Sequence, residues 1–357
     1  MVFFRIATLL PLALLCAGAV FGGHWVWAAL AVITVLTWAL DHLIARQAVQ
    51  PGAGSEFPAG TGLCVFLGLM MPVLLGLAVW SVGGASGHGL AHRLGLAVGF
   101  GLYFGQVGHP VAHELIHKPS RPMQRLGRMI YTGLLMGHHA SSHLRVHHIH
   151  VATPHDPASA PAGMGFWHYV PRAWIGSFRA GLAAETALRR RAGAGGGKEK
   201  GHLRAALTHP YAAYLGGAAL TVLLAHAVAG LTGIAALLAI AAYAQIQILL
   251  SDYVQHYGLR RALRPDGRYA PVGPAHSWNA PQFWSSAMML NAPRHSHHHI
   301  APGVAYPALQ LSDQMPILPR AVPVMAVAAL VPPLWHRMMR PALKKLTPAH
   351  PTRKTAE

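Results

Sequence analysis

Acidic residues are scarce in this chain, with 10 Asp and Glu against 28 Lys and Arg in 357 residues and a formal net charge of +18. Charged residues of both signs make up only 11% of the sequence, while 53% is hydrophobic. A soluble globular chain is about a quarter charged, so this composition excludes an ordinary soluble domain and points to a membrane. Cysteine is equally rare. Cys16 and Cys64 are the only two, too few for a four-cysteine iron centre, and both fall in apolar runs where cysteine packs as a small hydrophobe. Nucleotide signatures are missing too. No strand pattern leads into Gly-x-Gly-x-x-Gly, and the GAGGGK run at 193–198 is followed by Glu199, where a phosphate-binding loop needs Ser or Thr. That run reads as a flexible linker. The basic excess does not indicate nucleic acid, because the cations are spread beside apolar runs without the interleaved aromatics of a base-stacking surface.

Long apolar runs are what the chain has in abundance. A helix crossing the hydrocarbon layer needs about 20 apolar residues, and runs at 6–21, 25–40, 61–82, 94–111, 211–229 and 232–253 qualify. The first two are separated by Gly22, Gly23 and His24 and the last two by Gly230 and Leu231, so each pair predicts a tight hairpin. A cleaved signal peptide is the competing reading of the first run, but a second apolar run follows at once without an Ala-x-Ala-like site. Lys and Arg flanking spans stay on the cytoplasmic side. Segment 118–204 holds 13 of them and 260–354 holds 12. With six spans and both termini inside, those segments, Arg5 and Arg46 share one side and only Arg93 lies on the other. The expected fold is therefore an all-α, multi-pass integral membrane protein of about six transmembrane helices, in an inner membrane, with a cytoplasmic cap. The cationic flanks also suit anionic lipid headgroups, or an acidic protein partner.

The cap is rich in histidine, of which the chain has 26. Three boxes stand out, each beside an apolar span. The first is His113-Glu114-Leu115-Ile116-His117, an i, i+4 pair that a helix presents on one face. The second is the HxxxHH pattern of His143, His147 and His148, whose i, i+4 pair predicts the same convergence, with His139 one turn earlier. The third is the HxxHH pattern of His295, His298 and His299, and a lone His256 follows the sixth span. A single buried histidine is usually a satisfied polar residue. Nine around spans exceed what one four-coordinate ion uses, so two metals with open positions are expected. His109, His138, His139, His150, His155, His276 and His297 lie near the boxes and are candidates for orienting the ligands.

HELIHK (113–118), HxxxHH followed by VATPHDPAS (143–159), HYGL (256–259) and RHSHHHIAP (294–302) resemble, in that order, the four motifs of the membrane-bound alkane 1-monooxygenase family, within the histidine-box desaturases and hydroxylases. The resemblance spans about 100–310, roughly 60% of the chain. It implies nine metal ligands, His113, His117, His143, His147, His148, His256, His295, His298 and His299, holding two iron ions. It also implies O₂-dependent hydroxylation of a terminal carbon, with electrons from rubredoxin or a ferredoxin and its reductase. Spacing alone does not choose iron over zinc, and the cysteine count places the electron source on another protein. Three positions depart from the family. Ser142, Gln255 and His155 stand where glutamate is usual, which bears on substrate choice more than on the metal. Glu114 and Asp252 are candidate outer-shell carboxylates, with Asp156 a further replacement, and Glu114 could also deliver a proton.

An apolar channel between the spans would admit substrate from the bilayer. Trp38 and the Met70–Met71 pair could line it, although packing and interfacial anchoring are the usual roles of such residues. A single membrane-embedded domain is expected over 1–317. Pro323, Pro332 and Pro333 argue for an apolar or amphipathic surface segment rather than a seventh span over 318–357, which ends in a basic tail. Within the oxygenase class the alternatives are a fatty acyl desaturase or hydroxylase and a xylene-type monooxygenase. Outside it, HELIH also fits the HExxH of a zinc metalloprotease with Glu114 as base, but leaves two boxes unexplained. A histidine-lined transporter would place its ligands near mid-membrane.

Overall fold

A computed structural model describes residues 1–44, 58–194 and 206–346. Most of the 193–198 run and the basic tail beyond 346 lie outside the described residues, as do Arg46, His202 and His350. Among the described residues the chain is helical, with two isolated β-bridges, Leu263 to Tyr269 and Asn279 to Ile317, and no longer strand.

Helix α1 (Val2–Phe21) and helix α2 (His24–Leu43) form the first expected hairpin. The turn works because Gly22 and Gly23 take φ of 64° and 57°, a region that costs a side chain energy. Helix α3 (Pro58–Val82) follows, then α4, a helical run over 90–117 interrupted by a π turn at Phe104–Gly108. There the His109 N–H reaches back five residues to the Phe104 carbonyl. Pro110, next in sequence, has no N–H to give Gln106, and its ring crowds that carbonyl. Helix α5 (Arg121–Gly133) doubles back on the end of α4. The close fit is made by Gly127, where a Cβ would stand 2.7 Å from the Ala112 carbonyl oxygen. Helix α6 (138–150) contains a second π turn at His143–His147, and α7 (Phe166–Ala194) packs on its start.

Helix α8 (Pro210–His256) contains the last two predicted spans. It breaks at Ala229 and Gly230, the latter at φ 62°. A Cβ on Gly233 would run into the Ala225 carbonyl, although eight residues of straight helix rise about 12 Å. The chain therefore folds back on itself, as the glycine predicts. Among the described residues four helices, Val2–Phe21, His24–Leu43, Gly60–Val82 and the doubled Pro210–His256, are long and apolar enough to cross a membrane. The expected run at 94–111 lies within α4, which the π turn divides. The whole is an all-α membrane protein with its nine boxed histidines gathered at one end.

Short helices α9 (Phe283–Met288) and α10 (His295–Ile300) close the cap. Asp41 at the end of α2 accepts the Trp284 and Ser285 N–H groups at 2.9 Å each, capping α9 across the fold. Helices α11 (Val322–Ala329) and α12 (Pro332–Leu346) pack back against α8: Met325, Trp335 and Met339 are fully buried, and the Trp335 ring lies 5.2 Å from Tyr253.

Candidate metal centre

The ends of α4 and α8 and the short helices α6 and α10 bring the nine boxed histidines together in two adjoining groups. His113, His117, His143, His148 and His298 form one and His147, His256, His295 and His299 the other, with the ligand nitrogens of each group all within 4.8 Å of one another. The walls are shared: the His148 ring lies 4.6 Å from His299 and the His298 ring 5.6 Å from His299.

The division corrects one expectation from spacing. His113 and His117 do face one point, as an α-helical i, i+4 pair should. His143 and His147 do not share a site. The π turn that spans them widens the helix by one residue, with the His148 N–H bonded to the His143 carbonyl. That places His143 and His148, an i, i+5 pair, in the five-histidine group and turns His147 into the other. In the third box the i, i+4 pair His295 and His299 stays together, while His298 crosses to the first group.

Within each group the imidazoles converge as ligands do. Nε2 separations are 3.1 Å for His117 to His143, 3.0 Å for His143 to His148 and 3.1 Å for His148 to His298. In the second group His295 Nε2 is 3.0 Å from His256 and 3.1 Å from His299. Hydrogen bonds alone do not account for this. A ring nitrogen carries one proton or one lone pair, in the ring plane, yet the Nε2 atoms of His143, His148 and His295 each have two such neighbours, and the His143 and His148 planes cross at 86°. His113 Nε2 and His147 Nε2 are buried with no protein partner. A cation bonding each nitrogen at about 2.1 Å resolves both facts.

Electrostatics agree. Burial, then the crowding of imidazoles, holds His113, His143, His148, His295, His298 and His299 well below the ordinary histidine pKa, and burial takes His117 down to about 4. These rings are neutral, the form that binds metal. His147 is the exception. Burial opposes its charge, but Asp156, whose Oδ2 accepts from Nδ1 at 2.8 Å, outweighs it and raises the pKa. Asp156 is fully buried and also accepts from Ser159 Oγ at 2.6 Å and the Ala158 N–H at 3.0 Å. A carboxylate on Nδ1 leaves Nε2 of the same ring as the free donor to a metal.

Residues 87–326 match the fatty acid desaturase family. Two alkane 1-monooxygenases of Pseudomonas aeruginosa are similar along most of their length. One is 31% identical over 92% of this chain and 86% of its own, the other 32% over 89% and 83%. An alkane 1-monooxygenase of Alcanivorax borkumensis is 26% identical over 90% of this chain and 83% of its own. The chain belongs to the alkane 1-monooxygenase family. It is a metal-binding oxidoreductase of the histidine-box superfamily.

Within that family its departures can now be placed. Ser142 bonds the His139 carbonyl at 3.2 Å, and Gln255 bridges Ser251 at 2.8 Å and the Ala292 carbonyl at 3.0 Å. Both brace the helices that carry ligands. His155 is exposed and packs beside His150 and Tyr269. Glu114 Oε1 takes Lys118 at 2.6 Å and the Tyr306 N–H at 3.3 Å, which ties α4 to the loop after α10. Of the neighbouring histidines, His109 and His139 are buried with their rings beside His113 and His143, at 6.0 and 5.5 Å. The His276 carbonyl lies 3.4 Å from His256 Nδ1, and His297 Nδ1 accepts the Gln310 N–H at 2.8 Å. His138 packs on Trp174 and Phe178 instead. Two residues escape sequence reasoning. Tyr131 bonds His109 Nδ1 at 2.9 Å, and Asn279 accepts the Ser296 N–H at 2.9 Å at the start of α10. Neither belongs to a box, so no spacing marks them.

Proposed function

We propose that this chain holds two iron ions, one on His113, His117, His143, His148 and His298 and one on His147, His256, His295 and His299, and hydroxylates the terminal carbon of an alkane or alkyl chain. The division of nine buried, converging nitrogens into two adjoining sets supports this reading. In the overall reaction a C–H bond and the O–O bond break, two electrons and two protons enter, and the products are a primary alcohol and water. The iron pair, when bound, supplies the chemistry of O₂ reduction and C–H oxidation. Reduced rubredoxin or ferredoxin, served by its reductase, brings the electrons at the cytoplasmic face of the inner membrane, to which both termini also belong. The chain passes the membrane six times within one domain over 1–317, with 318–357 as an appended segment.

The chain's own residues orient and keep dry. Asp156 fixes the His147 tautomer, and burial of the histidine walls excludes water. A cavity of about 630 Å³ reaches this end of the fold between α2, α4, α8 and α11, walled by Ile33, Trp38, Leu102, Tyr243 and Leu250. At its inner end are His109 and Pro110, one turn before His113, and Gln255, next to His256. The wall is mostly apolar, and its one carboxylate, Asp41, is engaged by the Trp284 and Ser285 N–H groups; this suits a substrate with no polar handle, and each methylene contributes only about 1 to 3 kcal/mol to selectivity, so a range of chain lengths should be accepted. Trp38 lines this cavity, whereas Met71 faces a different cleft.

Cells expressing the protein with a rubredoxin system and fed octane, dodecane, xylene and a fatty acid should release 1-octanol or 1-dodecanol. A methylbenzyl alcohol or an unsaturated acid as sole product would move the substrate to the runner-up classes. Purified protein should contain two iron ions per chain, and one zinc without iron in active protein would overturn the metal assignment.

A further inference from the structure

A second cavity, of about 810 Å³, lies between α3, α5 and the first half of α8. None of the nine histidines lines it. Its walls are apolar, with Leu75 and Val79 on one side and Leu220 and Leu224 on the other. It follows α8 from Pro210 to Val228, a rise of about 27 Å, which is more than the roughly 15 Å of hydrocarbon in one leaflet. At its cytoplasmic mouth two arginines from α5, Arg125 and Arg128, form part of the lining.

Among the described residues those arginines have no counterion. Acidic side chains are scarce, and those that form ion pairs are engaged elsewhere: Glu114 with Lys118, Glu185 with Arg145 and Asp156 with His147. No ion pair among the described residues involves Arg125 or Arg128, and Arg128 Nε is buried without a partner. A guanidinium in that position calls for an anion. An alkane has no group to offer it. An anionic phospholipid offers both halves, a phosphate for the arginines and acyl chains for the cleft.

We propose that this cleft is a binding site for an anionic phospholipid, with its phosphate on Arg125 and Arg128 and its chains between α3 and α8. The lipid fills the cleft that α3 and α5 leave beside the first half of α8, and it sits apart from the substrate path.

The test is native mass spectrometry of the iron-loaded protein in nanodiscs of equimolar phosphatidylglycerol and phosphatidylcholine. Wild type should retain phosphatidylglycerol over phosphatidylcholine by about tenfold or more. The double variant Arg125→Gln and Arg128→Gln should lose that preference to within about twofold. Gly76→Leu provides an independent arm, because Gly76 lines the cleft and a Cβ there meets nothing within 4 Å; the larger side chain should fill the space without disturbing the helices and lower retention of both lipids. Alkane hydroxylation at saturating electron donor should persist in both variants. Equal retention of the two lipids by wild type would overturn the proposal. So would unchanged retention of both lipids in Gly76→Leu, which would put the headgroup on the surface rather than in the cleft. A double variant that keeps its lipid preference but shows a raised KM for reduced rubredoxin would assign the arginines to a protein partner and overturn it as well.

Discussion

His147 has neighbours of two kinds. Its Nδ1 meets Asp156 at 2.8 Å, and its Nε2 is buried with no protein partner, among His256, His295 and His299. Removing the ring takes one of four nitrogens from that set, so His147→Ala should leave the five-histidine set loaded, drop the iron content from two per chain toward one, and abolish turnover. Two irons and full activity in this variant would refute the ligand assignment. Asp156→Asn keeps the shape but removes the charge that holds the ring's proton on Nδ1. Outer-shell partners of this kind typically contribute 10- to 100-fold to metal affinity. Competition with a buffered chelator should therefore release one iron per chain roughly that much more readily than in wild type, while the second stays bound.

Elements were legible in the sequence where a single physical signal decided them. The two hairpins were expected from Gly22–Gly23 and Gly230 between apolar runs, and the backbone turns there at positive φ. The π turns were not legible, because one extra residue in a hydrogen-bond ladder leaves no mark on composition or hydropathy. Their effect is large, since the turn at His143–His147 alone decides which set His147 joins. The inward packing of Met325, Trp335 and Met339 was hidden for a similar reason: the prolines predicted a break, which occurs, but not the partner on α8 that buries the pieces. Helix contacts also carry a prediction. A Cβ on Gly127 would come within 2.7 Å of the Ala112 oxygen and 3.1 Å of the Ile116 nitrogen, both backbone atoms that cannot rotate aside. Gly127→Ala should force α5 away from the helix bearing His113 and His117, at a cost of about 1 to 3 kcal/mol. Thermal unfolding in detergent should show a lowered midpoint, with partial iron loss. Gly216→Ala, where a Cβ meets nothing within 4 Å, is the control and should not lower it.

Across the whole molecule the two sets join segments from His113 to His299, so a metal bound there would tie together parts of the chain that are otherwise linked through the membrane helices. All nine residues were legible as a set from the boxes, but their partition depended on how four helix ends meet. Assembling so many imidazoles without metal has a consequence for pH. Seven of them outside the spans, His113, His117, His143, His148, His295, His298 and His299, have folded-state pKa values below the unfolded value of about 6.5. The unfolded chain therefore binds more protons below that pH, and stability falls as pH drops, by up to about 1.4 kcal/mol per unit for each independent ring. His147 works the other way. Its raised pKa contributes stability below the unfolded value that is lost as pH rises through the folded one, but it is one ring against seven. Metal-free protein should accordingly unfold at a lower temperature at pH 5.5 than at pH 7.5. Iron should raise the midpoint at pH 7.5 and do so less at pH 5.5, since protons compete for the same nitrogens. An apo midpoint that does not change between the two pH values would show that the histidines separate and take up water once the metal leaves, so that the ion itself holds the two sets together.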